Sequence, residues 1–242
     1  MKNWFVSLTV ALTLCGCREK IPTPAYRVAY ASVPVSIDAR WDKHAWRIVD
    51  SIAIACVMGD PPSEKPSAWV KVCYDSANVY VIFKVLDPYV HSATTEINGP
   101  VWDDACVEFF FAPDGAHPEW YFNLEVNAGG VPLMRYNTVP RKAFVKLPPE
   151  EIAAVEIAHT LPQVVEPEIH GPIEWIVEYR IPLWLLQKHA PVTSPAKSVQ
   201  WMANFYKTTA QGSNPHYLTW SPIASESLDF HRPEFFGTLA FE

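Results

Sequence analysis

The chain has 242 residues, a formal net charge of -7, 23 prolines against 9 glycines, and 13% aromatic residues. The acidic balance excludes nucleic acid and anionic lipid headgroups as partners, since both require a basic face that displaces counterions. Short strands between rigid turns suit this composition, and a long-helix fold does not.

Met1-Lys2-Asn3 followed by the apolar run Trp4 to Leu14 has the charged start and short hydrophobic core of a secretory signal. The run is shorter than the ~20 apolar residues that cross a bilayer. It ends in Leu14-Cys15-Gly16-Cys17, which resembles a bacterial lipobox, with Cys15 where Ala, Ser or Thr is usual. Residues 1–17 are therefore predicted to be a lipoprotein signal with lipidation at Cys17. Residues 18–32 are polar, contain Pro22 and Pro24, and are expected to tether the anchor to one folded domain over 33–242. This places the protein in the bacterial cell envelope, with lipid as its only membrane contact. About 225 residues beyond the signal suffice for one large β-domain with a real core. Within that domain Cys56, Cys73 and Cys106 lack metal-type spacing and read as buried thiols rather than a bridge.

Trp69 to Tyr74 and Val79 to Leu86 are β-branched and aromatic runs joined by Asp75-Ser76-Ala77-Asn78, which predicts a hairpin whose second strand is buried on both faces. Ala105 to Ala112, Trp120 to Asn127 and Val131 to Asn137 follow as a meander, broken by Pro113-Asp114-Gly115 and Gly129-Gly130. Its alternation puts Val107, Phe109 and Phe111 with Phe122, Leu124 and Val126 on a core face. Glu108, Asn123, Glu125 and Asn127 share the other, polar face. A hairpin centred on Gly115-Ala116 would set Glu108 near-opposite Asn123, with Glu125 near Cys106. Further strands are expected at Glu174 to Ile181, Val199 to Tyr206 and Phe235 to Phe241, with a short helix starting at Pro182. The proline-rich stretch 140–172 shows only a weak strand near Ala153 to Ala158. The sum is an all-β chain: an antiparallel β-sandwich or jelly roll with immunoglobulin-like layers and one short helix, expected to be a monomer.

Sugars present apolar C–H faces and a rim of hydroxyls, so their sites pair flat aromatics with orienting donors and acceptors. The polar face of the meander has that inventory in Glu108 and Asn123, and Trp102 shares it if the strand extends through Asp103. Trp41, Trp46, Trp69, Trp175 and Trp201 fit packing better than ligand contact. Asp103-Asp104 offers hard oxygen ligands of the kind calcium takes, or simply a turn. His216 and His231 lack zinc-type spacing. Asp229-Phe230-His231-Arg232-Pro233 reads as a polar anchor for the last strand.

Ile37-Asp38-Ala39-Arg40-Trp41, Val72-Cys73-Tyr74-Asp75, Asp87-Pro88-Tyr89, Val101 to Phe110, Tyr121 to Asn127, Trp175 with Glu178 and Ile181-Pro182, Asn204-Phe205-Tyr206 and Asp229 to Glu234 occur in this order. Together they resemble the family 9 carbohydrate-binding modules and their free-standing bacterial relatives, from about Val33 to the end. The resemblance implies a β-sandwich, non-catalytic binding of polysaccharide or oligosaccharide in support of carbohydrate catabolism, no required cofactor, and often structural calcium, for which Asp103 and Asp104 are the candidates. It also implies a tryptophan pair clamping a sugar. Trp102 and Glu108 fit the first tryptophan and its carboxylate, Trp220 the second, Arg135 the basic reader, and Asn123 a secondary one. From Trp201 to Glu242 the chain resembles the free-standing relatives more than the enzyme-attached modules. Two other readings remain open: a glycoside hydrolase using Glu108 and Glu125, and a sandwich holding b-type haem, since no C-x-x-C-H occurs.

Overall fold

A computed structural model describes residues 23–242. The signal and Cys17 lie outside the described residues. The strands are β1 Ala25–Tyr30, β2 Ile52–Ala53, β3 Cys56–Val57, β4 Ser67–Tyr74, β5 Asn78–Ser92, β6 Cys106–Ala112 and β7 Tyr121–Asn127. They continue with β8 Pro132–Val139, β9 Ala143–Lys146, β10 Glu156–His159, β11 Val165–Pro182, β12 Gln200–Thr209, β13 His216–Thr219 and β14 Gly237–Phe241. Helices α1 His44–Arg47 and α2 Pro149–Ile152 are single turns, and α3 Leu183–His189 starts directly after Pro182 as expected. No helix among the described residues is long and apolar enough to cross a membrane.

The hydrogen-bonded path runs β10-β11-β5-β4-β1-β14-β12-β6-β7-β8-β9 and folds over into two layers, a β-sandwich. The hinge is β1. Ala25–Val28 pair parallel with Thr238–Phe241 of β14, and then Ala29–Tyr30 pair parallel with Cys73–Tyr74 of β4. This corrects the tether expectation: residues 25–30 belong to the sandwich, with Tyr26 and Val28 buried. Their partners are distant in sequence and parallel, so no local turn announces the strand.

The layers meet through aromatics. Phe83 of β5 lies 6.1 Å from Phe205 of β12, and Phe205 stacks on Phe109 at 4.8 Å. Phe111 extends the stack to Phe122 and Trp201. Each such fully buried side chain contributes roughly 1.5–3 kcal/mol by leaving water. Val79 to Phe83 are buried as predicted, whereas Leu86 at the end of the same run is exposed. The proline-rich stretch 140–172 holds more structure than its composition suggests: β9, α2, β10 and the start of the 18-residue β11. Cys56, Cys73 and Cys106 are free thiols.

The meander forms as read, but its first hairpin has a different register. Glu108 pairs with Glu125, Phe110 with Asn123, and Cys106 with Asn127. The Asp114 carboxylate and carbonyl accept from the N–H groups of Ala116 and His117, and this lengthens the loop and moves its centre past Ala116. The shift is two residues, so every side chain keeps its face. The second hairpin turns at Gly129-Gly130. Gly130 has φ +82°, and a Cβ on Gly129 would sit 2.0 Å from the Gln163 carbonyl oxygen, which forces glycine at both positions.

Candidate functional site

The outward row of β6, β7 and β8 forms the floor of an open pocket of about 650 Å³ on the front layer. Glu108 and Glu125 stand side by side in that floor, only 3% and 4% exposed. Asn123, fully buried beneath, donates from Nδ2 to Glu125 Oε1 at 2.7 Å, and its Oδ1 accepts from Asn137 Nδ2 at 2.7 Å. Asn123 is thus a positioning residue rather than part of the pocket wall. Burial foremost, and then the charge of Glu125, push the Glu108 carboxyl well above the usual range. Burial also raises Glu125, opposed by Arg135 and by the Asn123 hydrogen bond. Two buried acids at adjacent cross-strand positions resist joint ionisation, so the pair holds on to a proton above the usual carboxylate range.

Trp102 forms one wall. It sits in the single 3-10 turn Val101–Asp103 before β6, 37% exposed, and its carbonyl accepts from the Ala210 N–H at 3.0 Å, which ties the turn to the end of β12. Arg135 of β8 keeps the pocket side, as expected. Its guanidinium lies 5.7 Å from the Trp102 ring and 5.0 Å from the Phe144 ring, and its buried Nε has no hydrogen-bond partner. A cation between two aromatic rings is held in place while its outer N–H groups face the pocket.

The opposite wall differs from the expected one. Trp220 points into the core, only 8% exposed, 5.6 Å from Phe205 and packed so tightly on Gly237 that a Cβ there would meet the indole at 2.7 Å. Parity explains this: β13 pairs Tyr217 with Thr208 on the outer face and Leu218 with Lys207 on the inner, so Trp220 falls inward opposite Phe205. Tyr217 occupies the outward place, edge-on to Phe230, which stacks on Tyr206 at 4.1 Å.

Loops close the rim. Arg141, in the turn between β8 and β9, donates through Nε and Nη2 to Asp229 Oδ1 at 2.9 and 2.7 Å. Asp229 Oδ1 also accepts the His231 N–H, and His231 Nδ1 lies 2.6 Å from the Tyr121 hydroxyl. Burial and Arg141 lower His231 to about 3, so it is a neutral imidazole. The polar anchor read at Asp229–Pro233 is real, and it borders the pocket through Phe230 and His231. Phe110 was recoverable from its parity with Glu108. Arg141 and Tyr217 carry no local sign.

The calcium candidates do not fit a cation. The two Asp104 carboxylate oxygens accept from the backbone N–H groups of Ala93 and Thr94 and from Asn127 Nδ2, all within 3.0 Å. Donors of that polarity displace a metal. No group of three Asp, Glu, His or Cys side chains converges as metal ligands among the described residues, Asp103 included.

The sequence model for carbohydrate-binding family 9 matches residues 41–241. The chain belongs to this family. A Bacteroides uniformis structure to which carbohydrate binding has been ascribed aligns over 91% of this chain and all of its own, with 27% identity and a TM-score of 0.82. A family 9 module from Caldicellulosiruptor kristjanssonii in complex with cellotriose shares 16% identity, a TM-score of 0.62 and coverage of 90% of this chain and 94% of its own. The same module with glucose gives 15%, 0.62, 90% and 96%. At that identity the likeness shows the shared sandwich. No curated protein matches the chain. Family 9 is a family of binding modules rather than catalysts.

Proposed function

We propose that this family 9 chain is a lipid-anchored envelope protein that binds oligosaccharide or polysaccharide without cleaving it and serves carbohydrate catabolism. The supporting observation is the pocket itself: the exposed indole of Trp102 and the ring of Tyr217 both line it, together with the paired carboxyl groups of Glu108 and Glu125 and the Arg135 guanidinium. Flat rings take the C–H faces of a sugar, and the charged and neutral groups read its hydroxyls. The pocket is open, so an oligosaccharide extends out of it. The ligands of the Caldicellulosiruptor module, cellotriose and glucose, name the first probes.

What favours binding over hydrolysis is the family, which is one of binding modules. Glu108 and Glu125, paired across β6 and β7, are the two carboxyl groups that hydrolysis would need, so cleavage is tested directly. The test is a screen of soluble glycans by affinity electrophoresis with a parallel reducing-sugar assay. The proposal expects retardation without sugar release; release that disappears in Glu108→Gln would overturn it.

A further inference from the structure

The outer face of the back layer holds a second constellation, remote from the pocket in the fold. Trp69 of β4 lies directly opposite Lys84 of β5, and Lys71 is the next outward residue of β4. Lys71 Nζ sits 4.6 Å from the Trp41 ring, and Lys84 Nζ sits 5.1 Å from Trp41 and 5.5 Å from Trp69. Trp41 and Trp69, expected as packing residues, are half-buried here rather than in the core. Neither lysine forms an ion pair with a carboxylate among the described residues. Burial lowers the Lys71 pKa and the neighbouring Lys84 charge lowers it further, with Asp50 opposing. Beside Trp69 opens a cleft of about 450 Å³ whose wall includes Lys65. In a chain of net charge -7, Lys71 and Lys84 bring two ammonium groups to one face, with Asp50 as the nearby carboxylate and Lys65 in the adjoining cleft.

We propose that this face is a second binding site, for the carboxylate or sulfate group of an acidic glycan. Lys71 is buried and donates from Nζ to the Trp46 carbonyl at 2.7 Å, so the Lys84 ammonium, held against both indole rings, is the one that meets an anion arriving from solvent. A single charge spaced along neutral hydroxyls suits this small cluster. A continuous row of phosphates does not, because the rest of the surface repels it.

The test is affinity electrophoresis through gels containing polygalacturonate, dextran sulfate, neutral dextran or double-stranded DNA. The proposal expects retardation by at least one acidic glycan, weakened by salt, and none by neutral dextran or DNA. Retardation by polygalacturonate alone assigns carboxylate, and by dextran sulfate alone assigns sulfate. Lys84→Gln should weaken that retardation by about fivefold, the scale of one exposed ion pair, while Lys84→Arg keeps it and controls for folding. Cellotriose in the gel should not release the protein, so this site is read whether or not the pocket takes cellotriose. Absence of retardation by both acidic glycans, equal retardation by DNA, or undiminished retardation of both Lys84→Gln and Lys65→Gln would overturn it.

Discussion

Glu108 and Glu125 face each other directly across β6 and β7, both buried beneath the pocket, and neither has an ion-pair partner among the described residues. Burial first, and the Glu125 charge acting on Glu108 second, raise these carboxyls and make stability depend on pH. Above the ordinary glutamate value of 4.5 the unfolded chain releases protons that the folded pair still retains, because both folded values are raised. The folded state binds more protons, so stability falls as pH rises through that window. Glu108→Gln removes the raised group. The variant should melt above the wild type at about pH 7 and level with it at about pH 4. Thermal denaturation across pH checks this. Because Gln keeps the shape of the side chain and can both donate and accept a hydrogen bond, sugar affinity should stay within about threefold.

Asn123 links the site to the sheet from beneath the pocket lining. Replacing it with Leu leaves Glu125 Oε1 without its donor and Asn137 Nδ2 with only the longer bond to the Tyr121 carbonyl, at 3.3 Å. Each unsatisfied buried group costs about 1–3 kcal/mol, so urea unfolding should shift by that scale or more. Affinity should fall as well, since Glu125 loses its fixed orientation.

Asp104 acts as an anchor for N–H groups. Chelator treatment should leave the melting temperature unchanged. Asp104→Ala should lower stability by about 1–3 kcal/mol, because the Ala93 and Thr94 donors lose their acceptor. A chelator-induced drop in melting temperature would restore the calcium reading.

Mass spectrometry of the mature protein should find an acylated N-terminal Cys17. An unmodified terminus at another residue would remove the lipid anchor from the proposal.

Strand alternation made the polar face of the meander legible: Glu108, Asn123 and Glu125 share it because side chains alternate along a strand. The pairing of Glu108 with Glu125 was not legible, since the length of the Asp114 loop depends on its own hydrogen bonds. Trp220 looked like a second sugar platform by residue type, but one step of parity along β13 turns it inward and presents Tyr217. Arg141 and Asp229 meet across 88 residues, and β1 pairs in parallel with two distant strands, so neither relation leaves a local pattern.

Titration calorimetry with cellotriose on wild type, Trp102→Ala and Trp220→Ala tests the pocket assignment most directly. Removing the Trp102 face should weaken binding by about 1–3 kcal/mol, the scale of one large apolar surface, with little change in stability. Trp220→Ala should lower unfolding stability by about 3–5 kcal/mol through its core cavity, while the folded protein still binds. Unchanged affinity in Trp102→Ala, or binding lost only with Trp220 in a protein that remains folded, would contradict the account and place the sugar elsewhere on the sandwich.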